Sequence, residues 1–191
     1  MKFFKRKKIK EGFTLVETLI AISIFSLSIM AVIFVVSDDI ADIGYAKKKV
    51  VASYLAKEGV EYIRNLRDAY VLYDPESGQA GWNNFRVKID PCDTTTNSEK
   101  SCYFVDEDLF YDGTMTGISV NACEGSCPVL YKSPDGGYAY NIAGSVDGFR
   151  REIKTREISE DEIEITSEVY WNQESGVYST SFSGVIFNWV E

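Results

Sequence analysis

Gly12-Phe13-Thr14-Leu15-Val16-Glu17 opens the longest apolar run of the chain. From Phe13 to Val36 the only ionisable side chain is Glu17. About 20 apolar residues span a bilayer as a helix, so residues 13–36 read as a membrane-length segment. A charge within such a helix is costly. Insertion scales place a central one at roughly 2.5–3.5 kcal/mol, and a group that expensive needs a partner. The residues before the run are of opposite character. Lys2, Lys5, Arg6, Lys7, Lys8 and Lys10 stand against Glu11 alone, a net +5. The whole chain carries −9, which leaves −14 for residues 13–191. Basic residues ahead of an apolar segment hold that end in the cytoplasm and send Ser37 onward outside.

Two ordinary explanations fit less well. A secretory signal has a basic start, a run of 7–15 apolar residues and a small-residue cleavage site beyond it. Here the run is longer, and no Ala-x-Ala pattern closes it near Val36. A plain membrane anchor accounts for the length but not for Glu17 or the Gly12-Phe13 junction. Lys10-Glu-Gly-Phe-Thr-Leu-Val-Glu17 resembles the leader-peptidase site of type IV prepilins and their pseudopilin relatives. The resemblance implies cleavage between Gly12 and Phe13 by a prepilin peptidase/methyltransferase, and N-methylation of Phe13. It also implies that Glu17 pairs with the N-terminal ammonium of a neighbouring subunit. Many family members carry a proline midway along the apolar half; Met30–Val36 has none here, which puts a proline-linked melting of this helix in doubt.

Helical character is expected to continue past the membrane. No proline and only Gly44 and Gly59 interrupt residues 13–74. Ile40, Ile43, Val50, Tyr54, Tyr62 and Leu66 recur at helical spacing and predict an apolar stripe laid on a sheet. One helix from about Thr14 to about Asp68 is expected; two helices hinged at Gly44 are the alternative. At 1.5 Å per residue the single helix would be roughly 80 Å long. Lys47-Lys48-Lys49 reads as a solvated helix face. The acidic exported body argues against nucleic-acid binding, which wants a basic face.

After Asp68 the pattern turns strand-like. Phe85-Arg-Val-Lys-Ile89 alternates, as does Ile163 to Trp171, and Val177 to Trp189 is a further strand-like run. Asn172–Gly176 and Ser133–Gly137 read as hairpin loops. A strand from Phe149 turns at Ser159–Glu162. The expected class is α+β: four to six antiparallel strands with a long N-terminal helix on one face. The organisation expected is a basic leader at 1–12, a transmembrane or filament-core helix at 13–36, its amphipathic continuation at 37–68, and an exported β-rich head at 69–191.

The head region supplies a second resemblance. Leu130-Tyr, Gly136-Gly-Tyr, Phe149-Arg-Arg-Glu-Ile153, Val169-Tyr-Trp171 and Asn188-Trp189 are similar to the sheet of PilV-like minor pilins, and Leu55 to Arg67 to their outer helix. Residues 90–128 depart from that pattern as a cysteine-bearing insertion.

Cys92, Cys102, Cys123 and Cys127 all fall in the exported part, where an even count reads as disulfides. Three connectivities are open; the sequential one closes two short loops with turn-like flanks. A four-thiolate zinc site fits poorly, because Cys92 and Cys102 are too far apart for the usual close pair. No metal or cofactor is expected.

There is no histidine. Ser-His-Asp and Cys-His chemistry, His–metal sites and the commonest general base are therefore out of reach. Asp106-Glu-Asp108 and Glu160-Asp-Glu162 read as solvated turns rather than a glycosidase pair or a calcium site. Tyr103, Phe104 and Tyr111 read as core, with a surface-binding role as the alternative. The expected function is mechanical, not enzymatic. The chain is a minor pilin held in the inner membrane, extracted by inner-membrane assembly machinery and packed with other pilin subunits into a surface pilus. A pseudopilin of a type II secretion or DNA-uptake system is the nearest alternative. A membrane-anchored exported enzyme or binding domain that never polymerises is the other.

Overall fold

The computed structural model describes residues 12–74, 76–105, 120–140, 144–173 and 176–189. Helix α1 spans Leu15–Tyr73 and passes Gly44 without interruption. It outruns the expected end at Asp68. It stops one residue short of the Asp74-Pro75 step, where a residue preceding proline is pushed out of helical geometry. The chain divides within α1 into two units, Met1–Tyr45 and Ala46–Glu191.

The described part of the first unit is the apolar stretch of α1. Its large side chains, from Phe13 through Val36, all lie exposed.

The second unit carries the core. Helix α2 covers Gly78–Lys88, and a 3₁₀ turn covers Asp90–Cys92. Among the described residues, seven strands form one antiparallel sheet: β1 (Cys102–Phe104), β2 (Val120–Ala122), β3 (Val129–Lys132), β4 (Tyr138–Ala139), β5 (Ser145–Ser159), β6 (Glu162–Gln173) and β7 (Gly176–Phe187). Strand β5 pairs with β1 and β3, and with β6, which in turn pairs with β7. Both expected hairpin positions hold their turns. Gln173 pairs with Gly176, and Tyr131 and Lys132 pair with Ala139 and Tyr138. Ser159 pairs with Glu162 across the Glu160-Asp161 turn. The Trp82 indole N–H pins that turn by donating to the Glu160 carbonyl at 3.0 Å. Among the described strands β5, β6 and β7 are long and the others are short pieces.

Two expectations fail. Phe85-Arg-Val-Lys-Ile89 belongs to α2 and its C-cap, not to a strand. The Ser77 hydroxyl caps the helix by accepting the Ala80 N–H at 3.1 Å. Trp82, Phe85 and Ile89 are buried at helical spacing. Over five residues, alternation and a helical face coincide, and burial of the aromatic pair decides for helix.

The stripe of α1 is also different from the one expected. Tyr62 and Leu66 are buried, but Ile40, Ile43, Val50 and Tyr54 are exposed. The packed face is instead Ala52, Leu55, Ala56, Gly59, Val60, Ile63 and Leu66. Small residues win because they let the helix approach the sheet. A Cβ on Gly59 would collide with the Ser167 hydroxyl and press on Cδ of Arg151.

Arg151 is 1% exposed. Its Nη1 donates to the Leu55 carbonyl at 3.3 Å and to Glu58 Oε2 at 2.7 Å, and its guanidinium lies 4.5 Å from the Phe104 ring centroid. It thereby ties β5 to α1 through hydrogen bonds and charge, and to β1 through the ring contact.

Candidate functional site: the leader junction and the first turns of α1

Thr14 begins the helix. Its hydroxyl accepts the Glu17 N–H at 3.3 Å, and its carbonyl accepts the Thr18 N–H at 3.2 Å. Thr14-Leu-Val-Glu17 thus has the Thr-x-x-Glu spacing of a capping box, with its threonine half formed. The reading of Glu17 as a pairing group alone overlooked this local role. A carboxylate in the first turn also complements the positive end of the helix dipole. Glu17 therefore serves helix initiation while standing exposed at the head of an apolar surface.

Hydroxyls further along the run fold back onto the helix. Ser23, Ser28 and Ser37 donate to the carbonyls of Leu19, Ile24 and Ile33 at 2.8–2.9 Å. These three hydroxyls are satisfied by the helix itself, so the surface they leave is apolar. This is the arrangement a helix in hydrocarbon requires. Among the described residues one helix is long and apolar enough to cross a membrane, and the apolar window of that helix is wholly exposed. A core helix of a water-soluble domain would bury that face.

Gly12 makes no close packing contact among the described residues. A Cβ built there meets nothing within 4 Å among the described residues, and its backbone is outside the left-handed region.

A family model for the prokaryotic N-terminal methylation motif matches residues 7–33. The chain carries a prepilin-type leader. The motif implies processing by prepilin peptidase and assembly with other pilins, and it supports an exported, type IV pilin- or pseudopilin-like subunit rather than an enzyme. With the exposed apolar helix, it fits anchoring in the inner membrane before assembly. Comparison with curated proteins and with solved structures gives no significant match.

The cysteines lie far along the chain from this junction. Cys92 is joined to Cys102 and Cys123 to Cys127, with Cα separations of 4.8 and 4.7 Å. The first bridge is buried and links the 3₁₀ turn to β1. The second closes a loop in which Gly125 takes φ +79°, a conformation that favours glycine. Phe104 is core, its ring stacked on Tyr62, and Tyr103 packs against Tyr140. Asp106-Glu-Asp108 and Tyr111 fall outside the described residues. Lys48 of the lysine triplet donates to the Asn172 carbonyl at 2.9 Å.

One groove of about 460 Å³ runs between α2 and the sheet, bordered by Arg86, Asp90, Thr155 and Glu157. Arg86 and Glu157 pair across it. At the end of α1, the Asp74 carboxylate accepts the Glu76 and Ser77 N–H groups and the Asn84 amide. The Glu76 N–H, followed by Asn84, holds the Asp74 carboxyl below its ordinary value.

Proposed function

We propose that this chain is a minor pilin of a type IV pilus, of the PilV-like kind. It is cut between Gly12 and Phe13, N-methylated at Phe13, and packed into the filament through residues 13–36. The observation that carries this reading is an apolar helix surface, exposed from Phe13 to Val36, with one carboxylate near its start. Such a surface needs lipid before assembly and other helices after it. Glu17 would meet the Phe13 ammonium of a neighbouring subunit in that bundle. Within hydrocarbon the two charges offset each other's desolvation, and removing one strands the other at a cost of about 3–5 kcal/mol.

Glu17→Ala tests this. Membrane insertion should be unchanged or improved, because a charge leaves hydrocarbon. Incorporation into sheared filaments should fall sharply, with Glu17→Asp intermediate because the shorter side chain keeps charge but loses reach. Wild-type incorporation of Glu17→Ala would remove the pairing mechanism. Immuno-electron microscopy separates the roles. Sparse or tip label on pili fits a minor pilin, label along the whole length fits a major pilin, and absence from long pili fits a pseudopilin or a plain anchor.

A further inference from the structure

The groove between α2 and the sheet has a buried polar group at its floor. Thr155 of β5 is 2% exposed, and its hydroxyl has no hydrogen-bond partner. Glu157, two residues on along β5, lines the groove from the same face of the strand. Ile163 of β6, the cross-strand partner of Glu157, lines it too. Asp93 joins them from the end of the 3₁₀ turn. It forms a parallel bridge with Thr155, and the Thr94 N–H donates to the Thr155 carbonyl at 2.8 Å. Burying a hydroxyl without a partner is costly. One kept so at the floor of a cavity is placed to bond what enters.

The charges around it are unbalanced. Asp90 accepts from Lys100, and Glu157 Oε1 accepts from Arg86. Asp93 Oδ1 accepts the Thr95 N–H and hydroxyl, but no cation pairs with Asp93 among the described residues. Thr155 Oγ1, Asp93 Oδ2 and Glu157 Oε2 are therefore open acceptors on one groove. The surface beside them is apolar. Val87 is exposed there, above the buried Ile89 and Ile163.

This combination selects a ligand. A primary ammonium carries three N–H donors. An aliphatic stem lies along apolar surface while its charged head reaches polar groups. An anion would find Arg86 already held by Glu157. A sugar ring would find no aromatic platform, since no aromatic side chain among the described residues lines the groove. A bare divalent ion takes about six or more oxygen ligands. No cluster of three or more His, Cys, Asp or Glu among the described residues could hold one.

We propose that this groove binds an aliphatic primary ammonium, as carried by a lysine side chain of another protein or by a free diamine. The ammonium donates to the Thr155 hydroxyl and to the open oxygens of Asp93 and Glu157. The methylene stem lies against Val87 and Ile163. The site belongs to the head and is independent of the leader and of filament assembly.

Calorimetric titration of the full chain in non-ionic detergent tests this. Nα-acetyl-lysine-N-methylamide and cadaverine are the probes. Nα-acetyl-norleucine-N-methylamide, which keeps the stem without the charge, is the control. At least one probe should bind, and the control should not. Thr155→Val should weaken binding about tenfold, the worth of a hydrogen bond to a charged group, and Thr155→Ser should bind as wild type. Asp93→Asn should weaken it about two- to fivefold. Asp135→Asn, at an exposed acid on the β3–β4 turn, should leave it unchanged.

Circular dichroism melts show that each variant is folded. Should Thr155→Val not fold, the contrast between Asp93→Asn and Asp135→Asn still decides. Tighter binding of the lysine amide would assign the ligand to a protein, and tighter binding of cadaverine to a free diamine. Either result, or equal affinities, upholds the site. Binding by neither probe, or equal binding of the norleucine control, would overturn it. So would wild-type binding by a folded Thr155→Val, or equal losses in Asp93→Asn and Asp135→Asn, the mark of diffuse attraction to an acidic surface.

Discussion

Residues 15–36 and residues 52–71 belong to one helix and are both rich in large apolar side chains, yet they solve burial in opposite ways. The later stretch sends Ala52, Leu55, Ala56, Val60, Ile63, Leu66 and Val71 into a core built with the sheet. The earlier stretch exposes Leu19, Ile24, Phe25, Leu27, Ile33 and Phe34 and keeps its hydroxyls bonded to its own backbone. Apolar surface in water costs about 25 cal/mol per Å², so the early stretch is stable only where lipid or protein covers it. One half of α1 is a core element, and the other leaves its apolar surface uncovered by the described residues.

The largest test of that contrast removes the interface half. Residues 46–191 alone, exported to an oxidising compartment, should be a folded, water-soluble monomer by size-exclusion chromatography. The full mature chain should sediment with membranes or require detergent. A head fragment that aggregates would mean that the early stretch contributes to the core.

Matched truncations sharpen it. Ile63→Ala should destabilise the head by about 2–5 kcal/mol in denaturant unfolding, because it opens a cavity in a packed site. Ile24→Ala should leave head unfolding unchanged and act only on assembly. Arg151→Ala should cost about 2 kcal/mol or more, since it leaves the packing over Phe104 empty, while the half-exposed Glu58 turns to water.

Replacing Cys92 and Cys102 with serine should cost on the order of 2–3 kcal/mol by the chain-entropy model. Replacing Cys123 and Cys127 with serine should matter less, because that loop is shorter and more exposed. Urea midpoints of the two double mutants compare them directly.

Asp74→Asn is expected to have the smallest effect. The Asp74 carboxyl is held below its ordinary value of 3.8 by hydrogen bonds from Glu76 and Asn84. A depressed folded-state value stabilises the fold above the unfolded value, and that contribution disappears as pH falls through the lower folded one. The variant should therefore be slightly less stable than wild type near pH 7 and converge with it in acid, as thermal midpoints at both pH values would show.

The sequence made the interface half more legible than the core half. A membrane-length apolar run behind a basic leader has no competing local pattern, and Glu17 is conspicuous because nothing else in the run is charged. The long strands were equally plain, since Ile163, Ile165, Val169 and Trp171 alternate with polar residues over a full strand. What failed were choices between faces and between periods. Side-chain size pointed to Ile40, Ile43, Val50 and Tyr54, whereas close packing selected the Ala52, Ala56 and Gly59 side of α1. Five alternating residues at Phe85–Ile89 concealed a helix whose clearer signals were the Ser77 cap and the spacing of Trp82 and Phe85. The Thr14–Glu17 capping relation was visible in the residues but obscured by attention to Glu17 as a charge in lipid.

We propose that removal of the leader makes the exposed helix ready for other subunits. Intact mass and N-terminal sequencing of the membrane-extracted protein, from a host with an active prepilin peptidase, test it most directly. The account predicts a chain beginning at N-methylated Phe13, with residues 1–12 gone. A chain that keeps Met1 through Gly12 in that host would contradict it.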